Sequence, residues 1–389
     1  MNIKIIILFI LTLCIFLCIY YIIIGNMKQY PNEYIKKKNI IIKHSGNNYE
    51  DNYLKNKIPT NLDAIIIGSG LPSLIVGALL SRIGKKILVL DKKSCAGGDL
   101  SIIKKQNYKF STNFQYISFI SEWKKLLNKI TFNKIKWLKI GKKNKNYIDQ
   151  IYIGKQHFIF KSGINNYCNA LKKYFPKEGK SIDKYFELIS LCSIKENLES
   201  FYMYIITKKK NKMFNKYHNF FSKNIQKYTT VTAYEIIKTL IKDENLITIL
   251  LCRFLNHGTH PKKINFLNHA YVINSHYSGI YYPKGGSTEI IKNLISTIEM
   301  SGGRVLVNQE VKNIIVKNGS AVGITTEKKH DIYAKKIVSG ITIKNTYSKL
   351  LKKKNIYKDI KVTLNELDYS LNYIYVYLGM NYKNSDILN

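Results

Sequence analysis

Arginine is nearly missing from this 389-residue chain: of 62 basic residues only Arg82, Arg253 and Arg304 carry a guanidinium. Proteins that read nucleic acid favour arginine for its bidentate contacts, so the formal charge of +37 does not point to a nucleic-acid partner. The excess is lysine spread along the whole chain beside abundant Asn, Ile and Tyr. That pattern reads as solvated surface, with attraction to anionic membrane lipid as its functional alternative. Cysteine is scarce as well. Cys14, Cys18, Cys95, Cys168, Cys192 and Cys252 form no C-x-x-C and no Cys/His ligand spacing, which argues against a disulfide framework and against a metal site. There is no internal repeat and no second G-x-G-x-x-G, so a dedicated nicotinamide site is not indicated.

What is present is concentrated in residues 62–98, LDAIIIGSGLPSLIVGALLSRIGKKILVLDKKSCAGG. The run Leu62 to Ile67 has no charge but Asp63, as a strand buried on both faces of a parallel sheet requires. Gly68 and Gly70 follow at once, and a helix with small or apolar residues at Leu74, Ile75, Ala78, Leu79 and Ile83 comes next. Gly84 stands where a left-handed C-cap belongs. Ile87 to Leu90 form a second strand, with Asp91 at its carboxyl end. The order of parts is that of a dinucleotide-binding turn. Gly68 allows the tight turn, Gly70 lets backbone approach a pyrophosphate, and the helix offers its N–H groups and dipole to that phosphate. Asp91 is placed to accept the hydroxyls of an adenine ribose. Ser73 stands where a third glycine is usual and is small enough to keep helix and strand close.

Hydrophobic content of 46% supplies real cores. Ile5 to Ile24 are about twenty uncharged, mostly apolar residues, long enough to cross a bilayer. No small-x-small cleavage site follows, so a retained anchor over 1–25 is expected, and lysines on both flanks leave the side of the body open. Residues 26–57 read as a polar linker. The nucleotide unit opens over 58–115, and from 116 to 280 the pattern turns helical, with expected helices at 122–129, 164–174, 181–192 and 232–242. A strand pair is expected at 151–153 and 157–160, about Gly154-Lys155. Between 196 and 228 aromatics and lysines interleave, a solvated helix or a membrane-leaning lid. The nucleotide unit returns over 281–345, with Gly285-Gly286 leading into a helix at 287–301 and strands at 304–307, 311–316, 321–326 and 336–339. The fold class is α/β, a discontinuous Rossmann-like nucleotide-binding domain with an inserted α+β lobe and an N-terminal transmembrane helix.

The first fingerprint, IIIGSGLPSLIVGALLSRIGKKILVLDKKSCAGG, and a second, GTHPKKINFLNHAYVINSHYSGIYYPKGGSTEI at 258–290, together resemble the FAD-dependent phytoene desaturase, carotenoid isomerase and retinol saturase superfamily, retinol saturase most of all. The resemblance runs from about residue 62 to 380. It implies an FAD-binding lobe and a substrate lobe around an apolar tunnel for an isoprenoid polyene, a retinoid or carotenoid. The chemistry implied is flavin-mediated hydride transfer, with saturation of a double bond first and desaturation or cis–trans isomerisation as alternatives. The electron donor is a docking partner, or NAD(P)H at a shared site. A membrane location follows, the endoplasmic reticulum in a eukaryote. Gly68, Gly70 and Ser73 would lie at the pyrophosphate, Asp91 at the ribose, Gly97 and Gly98 beside the flavin end, and Val311 near the adenine. His269, His276, Tyr277, Tyr282 and the Gly285-Gly286 backbone fall in the segment that approaches flavin or substrate. The bland alternative makes the histidines satisfied core residues and the tyrosines packing.

Departures from the family pattern are equally specific. Phe110-Ser111-Thr112-Asn113-Phe114-Gln115-Tyr116 replaces an FDxGxHY-like segment, Asp99 follows Gly97-Gly98 directly, and Gly340 stands where asparagine is usual. Relatives run on past the position of Asn389 to a last glycine/acid segment. A fragment, a split protein or a non-catalytic remnant of the family are the readings this leaves open.

Overall fold

In a computed structural model of the protein, residues 48–118, 120–141, 146–193, 225–352, 358–366, 371 and 373–380 are described. The expected membrane span and the lysine-aromatic stretch up to residue 224 lie outside them. Among the described residues no helix is long and apolar enough to cross a membrane.

In chain order the first elements are β1 (Ala64–Ile67), α1 (Leu71–Arg82), β2 (Ile87–Leu90), β3 (Ile102–Lys105), β4 (Tyr108–Ser111), α2 (Ile120–Thr131), β5 (Trp137–Lys139), β6 (Tyr147–Ile153) and β7 (Gln156–Lys161). Helices α3 (Ile164–Tyr174), α4 (Gly179–Ser193), α5 (Ala233–Leu240), α6 (Glu244–Leu251) and α7 (Phe266–Tyr277) follow. Strand β8 (Tyr281–Pro283), helix α8 (Thr288–Met300) and strands β9 (Arg304–Leu306), β10 (Val311–Lys317), β11 (Ser320–Thr326), β12 (Asp331–Tyr333) and β13 (Lys336–Ser339) complete the ordered elements up to residue 339.

The chain divides into two compact units. The first takes residues 1–102, 128–134 and 287–362; the second takes 103–127, 135–286 and 363–389. The crossings therefore fall at 102/103, 286/287 and 362/363 rather than at the boundaries read from composition, and a short return at 128–134 was not visible in the sequence. The stretch 48–57, read as linker, is a packed part of the first unit. Tyr49 and Tyr53 are buried there, and backbone bonds join Tyr53 N–H to Val307 O at 3.0 Å and Val307 N–H to Asp51 O at 2.9 Å. Two aromatic rings four residues apart outweighed the polar composition around them.

In the first unit four strands lie parallel in the order β13-β1-β2-β9, with Ala64 opposite both Lys336 and Ile87. Every residue of β1 and β2 is buried, which explains their unbroken apolar runs. One face of the sheet contributes Ile65, Ile67, Leu88, Leu90 and Leu306 to a core shared with Val311, Ile314, Ile324 and Ile332 of the β10–β12 meander. Helices α1 and α8 meet where Gly77 leaves room for Ile298, whose Cδ1 would lie 3.0 Å from a Cβ there.

The second unit is built on aromatic residues. Its core holds Tyr167, Tyr185, Tyr277, Phe160 and Phe266, all less than 2% exposed, with Phe160, Tyr167 and Tyr277 stacked at centroid distances of 4.2 and 3.9 Å. The expected helix at 232–242 is α5, and α6 follows it. Thr232 and Glu235 cap the start of α5 reciprocally, and Asp243 accepts from Leu246 N–H to start α6, each cap satisfying N–H groups the helix leaves open. Asn265 caps α7 in the same way.

Candidate functional site

The turn between β1 and α1 is locked from below. The Asp91 carboxylate accepts from Ser69 N–H at 2.7 Å and Ser69 Oγ–H at 2.6 Å through one oxygen, and from Lys93 N–H at 2.9 Å through the other. Ser69 Oγ in turn accepts from Gly97 N–H at 3.1 Å. Asp91 thus holds the two glycine turns in register and is 9% exposed. A ribose would find one oxygen carrying a single donor and the other carrying two.

The glycines divide by what requires them. Gly68 and Gly97 have φ of +89° and +115°, and a Cβ on Gly97 would overlap the Ile291 side chain. Gly98, at φ +58°, would place its Cβ 3.0 Å from Gly70 Cα. Gly70 is different. Its φ is −59°, and the nearest atom to a Cβ there is Pro72 Cδ at 3.9 Å. Nothing inside the protein asks for glycine at 70, whereas a ligand pressed against its backbone would.

Among the described residues of this unit four buried polar atoms have no protein partner, Ser73 Oγ, Ser81 Oγ, Asn128 Oδ1 and Gln309 Oε1. Gln309 is 2% exposed, and its N–H donates to the Asp91 carbonyl at 2.9 Å, so its orphan oxygen belongs to the loop that runs from β9 past Asp91 to Val311. Val311 itself is buried at the start of β10. Ser73 Oγ faces Gly340. A Cβ on Gly340 would overlap that oxygen and lie 3.0 Å from the Ser73 Cβ, so the larger residue in the fingerprint and the smaller one after β13 accommodate each other. Asp99 is exposed. These features fit a bound dinucleotide such as FAD, with Gly68, Gly70, Gly97 and the α1 N–H groups at its phosphates and Asp91 and Gln309 on the nucleoside side.

A second cluster lies in the other unit. His269, His276 and Tyr277 all sit on α7 and are each 1% exposed. His276 Nε2 is 2.9 Å from Asp149 Oδ2, which also accepts from the Tyr167 hydroxyl at 3.1 Å, and Arg253 pairs with Asp149 Oδ1. His276 Nδ1 and Arg253 Nε have no protein partner. Burial, then the Arg253 cation, push His276 down to about 3. Asp149 pulls the other way, but Arg253 already matches its charge, so the imidazole is neutral and gives its N–H to Asp149. His269 Nε2 lies 3.0 Å from the Tyr185 hydroxyl and its Nδ1 lies 3.2 Å from His257 Nε2. Burial, reinforced by His257, pushes His269 down to about 3, and burial takes His257 to about 4.

The expected histidines therefore both lie in buried polar clusters, where each ring is hydrogen-bonded and His276 keeps one unpartnered nitrogen. Asp149, Tyr167, Tyr185, Arg253 and His257 were not expected. The signals were an aspartate inside the apolar run YIDQIYI and one of only three arginines. Tyr282 bonds Ser111 at 2.7 Å and packs on Phe114, so the altered 110–116 segment finds partners within this unit. Gly285 and Gly286 have φ of +95° and +98° in the turn after β8, where Gly286 N–H donates to Pro283 O at 3.1 Å; both are turn glycines by geometry.

Residues 66–130 match the NAD(P)-binding Rossmann-like domain family. The all-trans-retinol 13,14-reductase of Danio rerio is 30% identical over 339 residues, which cover 82% of this chain and 52% of that protein. A chloroplastic prolycopene isomerase of Daucus carota is 28% identical over 319 residues, 76% of this chain and 49% of that one. The chain is thus a homologue of all-trans-retinol 13,14-reductases and prolycopene isomerases. Another relative is a Danio rerio protein named as an inactive all-trans-retinol 13,14-reductase, 29% identical over 77% of this chain and 50% of its own length. The chain spans about half the length of these relatives. Solved structures share the fold at low identity. Putrescine oxidase matches with a TM-score of 0.55 and 13% identity, over 80% of this chain and 64% of that one. An oxidoreductase from Methanosarcina mazei matches with a TM-score of 0.52 and 17% identity, over 78% and 64%.

Proposed function

We propose that this chain binds FAD in the first unit and works as an oxidoreductase on a carbon–carbon double bond of an isoprenoid polyene, with saturation of a retinoid as the leading reaction. The observation that carries the reading is Gly70, a glycine with a negative φ and open space where its side chain would be. It stands between two turns that Asp91 and Ser69 hold rigid, an arrangement suited to a pyrophosphate on the α1 N-terminus. The named activities of the retinol and prolycopene relatives supply the substrate class. An unactivated polyene offers no charged handle, so apolar burial supplies most of its binding. His269, His276 and Tyr277 are proposed as the polar side of that chemistry, Val311 as an adenine contact, and NAD(P)H or a partner protein as the electron donor. A location at a membrane, through residues 5–24, places the enzyme where its substrate dissolves.

The test is the visible absorption spectrum of the purified protein, with the released cofactor identified by chromatography. A flavin spectrum and released FAD support the reading. A folded protein that holds no flavin after incubation with FAD rejects it for this chain alone. It would favour a second reading, a non-catalytic member of the family, to which the replaced Phe110–Tyr116 segment already points.

A further inference from the structure

Residues 373–380, YIYVYLGM, carry no charge and no proline. Their side chains alternate in exposure: Ile374, Val376 and Leu378 are 95, 77 and 71% exposed, against 39 and 38% for Tyr373 and Tyr375. The rings of Tyr373 and Tyr375, and those of Tyr375 and Tyr377, lie 6.2 Å apart, close to the advance of two residues along a strand. The segment is therefore extended, with a tyrosine face on the protein and an aliphatic face in water.

The tyrosine face is held within the second unit. Tyr377 packs on Phe110 at a centroid distance of 5.3 Å, and its hydroxyl donates to the Thr112 carbonyl. Tyr373 donates to Leu255 O at 2.6 Å, and the N–H of Leu371 just before it donates to Gly258 O at 3.0 Å. The Tyr108 ring lies over Gly379, where a Cβ would come within 2.9 Å of it. Side chains fix the segment and backbone does not. Among the described residues, no N–H or C=O of 373–380 has a hydrogen-bond partner, and the segment belongs to none of the described sheets. An uncharged, unpaired strand of this composition pairs readily with another strand.

Three occupants could cover it. Lipid would take the aliphatic side chains but leaves backbone groups unsatisfied, which hydrocarbon does not tolerate. A second copy brings another formal charge of +37 towards exposed Lys104, Lys105 and Lys109 on the β3–β4 hairpin that carries Tyr108 and Phe110, and like charge of that size opposes association. A polypeptide strand of different sequence supplies donors, acceptors and apolar side chains together. The relatives contain such polypeptide: this chain matches 52% of the Danio rerio reductase and 49% of the Daucus carota isomerase, and each carries about as much again.

We propose that residues 373–380 are a docking strand, covered by a strand from the portion of these relatives that this chain does not match, whether that portion is continuous with it or separate. The incoming strand pairs along the free backbone edge, sets apolar side chains beside Ile374, Val376 and Leu378, and turns acidic residues towards the hairpin lysines. The proposal is independent of the flavin reading and stands or falls without it.

The test mixes the full chain with overlapping synthetic peptides that span the part of the Danio rerio reductase with no counterpart in it. Binding is read by fluorescence anisotropy, and backbone amide exchange by mass spectrometry. One overlapping group of peptides is expected to bind and to slow exchange in 373–380 by about tenfold or more. Methylating alternate backbone nitrogens of a binding peptide is expected to abolish both effects. V376K, at an exposed position, is expected to keep the melting temperature and weaken binding by about tenfold or more. Absence of binding, binding that leaves 373–380 exchanging freely, or slow exchange already present in the monomeric chain overturns the proposal. Slow exchange that tracks a dimer in light scattering assigns the strand to a second copy, and protection gained only on phosphatidylcholine–phosphatidylserine vesicles assigns it to lipid; either result also overturns it.

Discussion

Replacing Gly340 with alanine isolates the accommodation between the fingerprint helix and the end of β13. Gly340 is not among the glycines with positive φ, so alanine brings no backbone strain, and the loss comes from contact alone. The added Cβ overlaps Ser73 Oγ and sits 3.0 Å from the Ser73 Cβ and 3.2 Å from the Ile67 carbonyl oxygen. Overpacking of this kind costs about 1–3 kcal/mol, and two close neighbours besides the hydroxyl put Gly340→Ala near the upper end. Ser73→Gly removes both Ser73 atoms from the clash. On its own it loses roughly 0.5 kcal/mol of helix propensity and relieves a buried hydroxyl that has no partner, a penalty of about 1–3 kcal/mol, so it is expected to be neutral or stabilising. In that background Gly340→Ala meets only the Ile67 oxygen and costs under about 1 kcal/mol, giving a coupling energy of about 2 kcal/mol. For a unit of ordinary size this is a difference of roughly 4–8 °C in melting temperature. Thermal unfolding of the four proteins of the cycle, followed by circular dichroism, measures it. Equal losses from Gly340→Ala in both backgrounds, or no loss in the parent protein, would refute the reasoning.

Asp91→Ala strips three hydrogen bonds from the β1–α1 turn and leaves Ser69 N–H and Oγ–H without their acceptor. A loss of about 3–5 kcal/mol is expected, and FAD retention on gel filtration should fall with it, while Asp91→Asn keeps part of both. Arg253→Met leaves the Asp149 carboxylate buried with only neutral donors, which should cost about 3–5 kcal/mol by urea unfolding; Arg253→Lys should recover part of it. Stability should also depend on pH. The folded values of His257, His269 and His276, about 4, 3 and 3, lie below the ordinary histidine value, so the unfolded chain binds more protons in between. Stability from these groups is complete above about pH 6.5 and falls as pH drops towards 4, by up to about 1.4 kcal/mol per pH unit for each histidine. Melting curves at pH 5 and 7.5 measure the slope, and His269→Phe should flatten it.

The nucleotide turn was legible because its determinants are local. Two strands buried on both faces read as unbroken apolar runs, and the glycines, helix and acid between them follow within thirty residues. Even there, what Asp91 does inside the protein was hidden, since Ser69 is 22 residues away and nothing in a serine announces which carboxylate it serves. The second cluster was legible only as a histidine spacing on α7. Its partners come from far along the chain, Asp149 from 127 residues before His276 and Tyr185 from 84 before His269, and no periodicity reports such pairings. The pairing of β5 with β8 was invisible for the same reason, as Trp137 faces Pro283. Tyr49 and Tyr53 failed differently: a composition average over 26–57 hid two aromatic side chains that decide where the last ten of those residues go.

The parallel partnership of β1 with β13, in which Ala64 faces Lys336, sets a timetable for biosynthesis. At roughly 5–20 residues per second, synthesis separates the two strands by some tens of seconds. The second unit's α3–α7 segment is fully translated within that interval and is rich in local helical contacts, which form fast. The first sheet cannot close until β9 and β13 leave the ribosome. Throughout that wait β1 and β2, apolar on both faces, lack their outer strand partners, and they are where a chaperone would be expected to hold the nascent chain.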